Sequence, residues 1–93
     1  MKVRFYSSYD RTFAHLSSEE QMRVSEAEET LIKFFKDRSI PVHGGMGLKK
    51  LKGDYWEIRI GLSIRILFSV HKGTLNFIIV GDHENIRRYL RRI

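Results

Sequence analysis

The sequence predicts an α+β fold with the element order β α α β β β α, and three stretches carry that prediction. Tyr55 to Val70 alternates apolar and polar residues through a Gly61-Leu62-Ser63 break, the pattern of an antiparallel hairpin. Leu75-Asn76-Phe77-Ile78-Ile79-Val80 follows after His71-Lys72-Gly73-Thr74 and completes a three-stranded meander as a strand covered on both faces. Ahead of them, Val24, Ala27, Leu31, Phe34 and Phe35 recur at spacings of three and four, one apolar stripe of a helix that lies on the sheet.

In chain order, Lys2 to Tyr6 sets Val3 and Phe5 against Lys2 and Arg4 and reads as a short first strand. A short helix is expected from about Asp10 to Leu16. Ser17-Ser18-Glu19-Glu20 supplies a capping box for the long helix, which is expected to run to about Arg38 before Ile40-Pro41 ends it. Glu19, Glu20, Glu26, Glu28 and Glu29 read as its solvated face. Val42-His43-Gly44-Gly45-Met46-Gly47 is a glycine-rich connector; no Gly-Lys-Ser/Thr follows it, so it is not a phosphate-binding loop. Leu48 and Leu51 anchor a turn displaying Lys49, Lys50 and Lys52. After the meander, Asp82 caps a final helix from about His83 to Arg92, with Ile86, Leu90 and Ile93 as its stripe and Arg87, Arg88, Arg91 and Arg92 elsewhere on its surface.

Ninety-three residues make a single domain, residues 1–93, whose one core must be well packed. With no cysteine, neither a disulfide framework nor a zinc–thiolate site is available. His15, His43 and His71 have no partner ligands at metal spacing and read as surface histidines. No signal-peptide segment or membrane-length apolar run is present, so a cytoplasmic protein is expected. The net charge of +6 is carried by one half of the chain. Through Met46 seven Lys/Arg balance seven Asp/Glu, whereas from Gly47 onward ten stand against four, a surplus equal to the whole net charge. Such a field attracts nucleic acid or an acidic protein segment, and it also serves as an ordinary solubilising surface.

The meander also holds the candidate chemistry. Alternation turns Trp56, Ile58 and Ile60 inward with Ile64, Ile66, Phe68 and Val70, and leaves Glu57, Arg59 and Arg65 together on the other face, expected to be exposed. His83 stands just beyond the last strand. A carboxylate, two guanidiniums and an imidazole converging there suit acid/base chemistry on a phosphodiester. A cross-strand salt bridge from Glu57 to Arg65 or Arg59, and helix-cap decoration by His83, are the alternatives without chemistry.

Leu51-Lys52-Gly53, Tyr55-Trp56-Glu57-Ile58-Arg59-Ile60, Ile64-Arg65-Ile66-Leu67-Phe68 and Val80-Gly81-Asp82-His83 together resemble the RelE/ParE superfamily of small bacterial toxins from type II toxin–antitoxin systems. The resemblance implies a twisted antiparallel sheet with an N-terminal two-helix hairpin packed on one face, a short C-terminal helix and an open concave face. It divides by branch. The RelE, YoeB and HigB-like branch implies a ribosome-dependent endoribonuclease that cuts messenger RNA; the ParE branch implies a DNA gyrase inhibitor without a comparable catalytic set. Arg65, Arg59, Glu57 and His83 favour the nuclease branch. RelE itself carries basic residues where Glu57 and His83 stand, so the chemistry implied is that of members with conventional acid/base groups.

Cleavage without metal or other cofactor needs a base for the ribose 2′-hydroxyl, a cation on the phosphorane and an acid for the leaving oxygen. Glu57 is the candidate base, Arg65 the phosphate clamp and His83 the acid. Tyr89 lies where RelE-like toxins place a functional tyrosine, and core packing beside Ile86 is its alternative. Arg59 is assigned to the RNA backbone. Lys49, Lys50 and Lys52 are assigned to RNA phosphates, with a solvated lysine run as the commoner explanation. Arg87, Arg88 and Arg91 are the expected docking cations for an acidic antitoxin segment. A non-catalytic module that binds RNA or the ribosome, with Glu57 and Arg65 only a salt bridge, is the rival from another class.

Overall fold

Ser17 and Glu20 build the start of the longest helix: the Glu20 N–H donates to Ser17 Oγ at 3.2 Å and the Ser17 N–H to Glu20 Oε1 at 2.8 Å. These two bonds satisfy donors that an uncapped helix leaves open, and the Ser17 N–H first, then the Ser17 side chain, hold the Glu20 carboxyl below its usual range. In this computed structural model, which describes residues 1–37 and 47–92, that helix is α2 (Ser18–Lys36). Arg38, Ile40, Pro41, His43 with the Val42 to Met46 part of the connector, and Ile93 lie outside the described residues. The remaining elements are β1 (Lys2–Phe5), α1 (Ser7–Ala14), β2 (Lys49–Lys50), β3 (Tyr55–Ile60), β4 (Ile64–His71), β5 (Thr74–Gly81) and α3 (His83–Arg91).

The sheet has five strands in the order β1-β5-β4-β3-β2. The meander is antiparallel as expected, with Trp56 opposite Phe68, Ile58 opposite Ile66 and Arg59 opposite Arg65. Three features depart from the sequence reading. β1 runs parallel to β5, Val3 beside Leu75 and Phe5 beside Phe77, so the sheet is mixed rather than wholly antiparallel. Alternation fixes which side chains share a face but carries no information on strand direction. Lys49 and Lys50, expected in a turn, pair with Glu57 and Trp56 as a short edge strand. α1 also begins at Ser7 and ends at Ala14, earlier than the predicted Asp10 to Leu16; its Ser8 hydroxyl reaches the Ile78 carbonyl at 2.6 Å, a tertiary anchor that local pattern does not show.

One core lies between the sheet and α1 and α2. Val24, Ala27, Leu31 and Phe35 of α2 and Tyr9 of α1 are buried with Ile58, Ile66, Phe68, Leu75 and Phe77. Each fully buried Val, Leu, Ile or Phe side chain among them contributes about 1.5–3 kcal/mol by leaving water. The opposite face is only partly open. A bulge between Leu67 and Phe68 shifts the β4–β5 register, so that Ile78 and Ile79 both join Leu67 on that side, and α3 closes over them through Ile86. Leu51, Tyr55, Tyr89 and Leu90 pack around this second cluster. Among the described residues no helix is long and apolar enough to cross a membrane.

Candidate active site

Residues on β3 and β4 whose side chains alternate away from the main core share the α3 side of the sheet, and the ladder sets their spacing. Lys49 is opposite Glu57, Glu57 opposite Leu67, and Arg59 opposite Arg65. Two guanidiniums directly opposite repel each other, and a carboxylate on the diagonal relieves that repulsion. Arg65 Nη1 donates to Glu57 Oε2 at 3.1 Å. The alternative foreseen for these two residues, a cross-strand salt bridge, is therefore formed. Glu57 Oε1 makes no hydrogen bond with the described residues, and Arg59, which is exposed, makes no ion pair with them.

Contrary to the expectation of an exposed carboxylate, Glu57 is 6% exposed. The reason is packing from both sides: Leu67 stands across the ladder, and β2 covers the edge of β3 that sequence reading left free. Arg65 keeps 23% of its side chain in solvent. An open cleft of about 410 Å³ is lined by Gly47, Leu48, Lys49, Glu57, Arg59 and Arg65. Three cations and one carboxylate around it make a positive hollow suited to a phosphate. Gly47, read from sequence only as part of a connector, shapes this hollow: its φ is +60°, and a Cβ there would stand 3.1 Å from the Arg59 Cβ.

The other two candidate catalytic residues are not in the cleft. His83 is exposed in the first turn of α3, and its imidazole makes no hydrogen bond or ion pair with the described residues. It follows by two residues Gly81, the β5 partner of Arg65. The helix start is fixed as expected, by a reciprocal Asp82–Asn85 box with the Asn85 N–H donating to Asp82 Oδ1 at 2.9 Å. Tyr89 packs in the cluster of Leu67, Ile78, Ile79 and Ile86. Burial, then Tyr55 and Tyr6, push its hydroxyl pKa upward, so the phenol keeps its proton and acts as a donor.

The basic residues assigned to two different partners meet in one groove. Lys49, Lys50 and Lys52 face Arg87 and Arg91 of α3 across about 560 Å³, with Leu51 and Leu90 as the apolar lining. Arg88 is exposed but does not line it, and Arg91 lies 4.0 Å from Glu84. Lys50 Nζ stands 5.9 Å from the Trp56 ring centroid, and Lys49 lines both groove and cleft, which makes them neighbours. His71, read as a surface histidine, is exposed with its Nδ1 2.7 Å from Asp54 Oδ2.

No protein-family model and no curated protein matches this sequence. Solved structures do match in fold. The chain is similar to the RelB–RelE antitoxin–toxin complex from Methanococcus jannaschii, at TM-score 0.70 and 22% identity over 92% of this chain and 96% of that one. It is similar to the E. coli DinJ–YafQ complex at TM-score 0.68 and 9% identity, over 91% of this chain and 96% of that one. It is also similar to a YoeB/ParE toxin from Agrobacterium tumefaciens at TM-score 0.65 and 18% identity, over 89% of this chain and 99% of that one. The five-stranded mixed sheet and three helices of the described residues thus give this chain the fold of the RelE-type toxins, the fold its strand pattern resembles.

Proposed function

We propose that the protein is the toxin of a type II toxin–antitoxin pair and cuts messenger RNA on the ribosome, in the cytoplasm, without a metal. The observation that carries this reading is the cleft in which the Glu57–Arg65 pair is flanked by Arg59 and Lys49. With one nitrogen on Glu57, Arg65 is oriented and still has donors left for a non-bridging phosphate oxygen. Glu57 takes the proton of the ribose 2′-hydroxyl, whose oxygen attacks the adjacent phosphorus. Arg65 stabilises the phosphorane, and the bond to the 5′-oxygen breaks as His83 gives that oxygen a proton. A 2′,3′-cyclic phosphate and a free 5′-hydroxyl result. Tyr89 hydrogen-bonds the ribose or stacks on a base, and Arg59 holds the RNA backbone.

The antitoxin reading draws on the groove between β2 and α3. An acidic amphipathic helix suits it, with apolar residues against Leu51 and Leu90, carboxylates on Arg87 and Arg91, and a further carboxylate on Arg88 outside the groove lining. The same lysines serve RNA phosphates when the groove is free, so antitoxin and RNA compete for it. One observation favours a second reading: Glu57 is buried and already paired, as a purely structural ion pair would be. A non-catalytic gyrase inhibitor or ribosome-binding module follows from that. Purified protein incubated with translating ribosomes and a defined message, beside a gyrase supercoiling assay, separates the readings. Ribosome-dependent cuts are expected; gyrase inhibition, or ribosome binding without cuts, would overturn the nuclease assignment.

A further inference from the structure

On the helix side of the sheet, away from the cleft, Phe5 of β1 and Tyr9 and Phe13 of α1 line a pocket of about 260 Å³ together with Asp10 and Glu28. The rings form a continuous wall, with centroids 5.7 Å apart between Phe5 and Tyr9 and 6.2 Å between Tyr9 and Phe13. Glu28, expected on the solvated face of α2, instead accepts the Tyr9 hydroxyl at 2.5 Å. Burial, opposed by that hydrogen bond and reinforced by Asp10 and Glu29, raises its pKa. Among the described residues no lysine or arginine forms an ion pair with Asp10, Glu28 or Glu29. The Tyr9 hydroxyl alone does not call for this charge, since a glutamine would accept the same bond.

Aromatic faces beside unneutralised carboxylates are the chemistry that binds an organic cation. Between the two cationic side chains, a guanidinium suits it better than an ammonium: it is flat, weakly hydrated, stacks on rings and pairs with carboxylates through two donors. The pocket also has an apolar side open to solvent, because Phe5 is 44% exposed. A polypeptide covers such a ring, whereas a small free cation leaves it wet. We propose that this pocket receives the guanidinium of an arginine from a partner protein. The proposal goes beyond the nuclease reading and holds whether or not RNA is cut.

The test is an NMR titration of the full chain with N-acetyl-arginine-N-methylamide, its uncharged citrulline counterpart and spermidine. The arginine probe is expected to produce saturable shifts centred on Phe5, Tyr9, Phe13 and Glu28. The citrulline probe should bind at least about tenfold more weakly, and Asp10→Asn and Glu28→Gln should each weaken the arginine probe severalfold. Asp10 is exposed, so its substitution leaves the fold undisturbed even if Glu28→Gln does not. Equal responses to arginine and citrulline, shifts centred elsewhere, no saturable shift, or parental affinity in both variants would overturn the site. Spermidine binding as tightly as the arginine probe would assign the pocket to free polyamines and overturn the protein partner.

Discussion

Glu57 and Arg65 form a diagonal ion pair across β3 and β4, Nη1 to Oε2 at 3.1 Å, in which the carboxylate is the more deeply buried partner. The asymmetry has a thermodynamic consequence. Arg65→Ala leaves a buried charge without its donor, whereas Glu57→Gln leaves a partly exposed guanidinium that water can solvate. Arg65→Ala should lower stability by about 1–3 kcal/mol and Glu57→Gln by about 1 kcal/mol or less. Urea unfolding of both variants checks the order. If Glu57→Gln proves the more damaging, the carboxylate has a structural role beyond this pair.

Gly47 is expected to be intolerant of a side chain. Alanine at φ +60° carries backbone strain of about 1–2 kcal/mol, and its Cβ also meets Arg59. Displacing Arg59 disturbs the hold on RNA backbone before it disturbs proton transfer. Gly47→Ala should therefore raise KM for ribosome-bound message more than it lowers kcat. A pure kcat loss would show that Arg59 touches the reacting phosphate.

His83 and Tyr89 separate by environment. His83→Gln should slow single-turnover cleavage by about a hundredfold with little change in stability, because the imidazole is exposed and without a hydrogen-bond or ion-pair partner among the described residues. Tyr89→Phe keeps the ring in the Leu67–Ile86 cluster and should matter less. A larger loss in Tyr89→Phe than in His83→Gln would make the tyrosine the proton donor.

Glu28 gives the stability a pH dependence of determinate sign. Its pKa is raised in the folded chain, so the folded state holds the proton over a range where the unfolded chain has released it. Its contribution is fully present below the ordinary glutamate range near pH 4 and declines as pH rises through the folded value. Glu28→Gln should accordingly melt higher than the parent at pH 7, the difference shrinking as pH falls towards 4. Thermal melts at several pH values read this directly; a gap that widens in acid would contradict the sign.

Period-two alternation made the shared face of Glu57, Arg59 and Arg65 legible, and the capping residues Ser17, Glu20 and Asp82 made two helix starts legible. Their surroundings were less so. That β2 and Leu67 bury Glu57 depends on pairing across the sheet, and the burial of Ile78 and Ile79 on one side depends on a bulge hidden within a continuous apolar run. The parallel run of β1 has no local signature. Gly47 against Arg59, and Tyr9 against Glu28, are long-range contacts that residue type alone does not announce.

The most direct measurement is single-turnover cleavage of a defined message on purified ribosomes by the parent chain and by soluble, folded Arg65→Ala and Arg65→Lys variants. Ribosome-dependent cuts by the parent are expected, with a loss of about a hundredfold or more in Arg65→Ala and partial activity at best in Arg65→Lys, which keeps the charge but not the paired donors. Cutting by Arg65→Ala at the parental rate, or no cutting by a parent chain that binds the ribosome, would contradict the nuclease assignment.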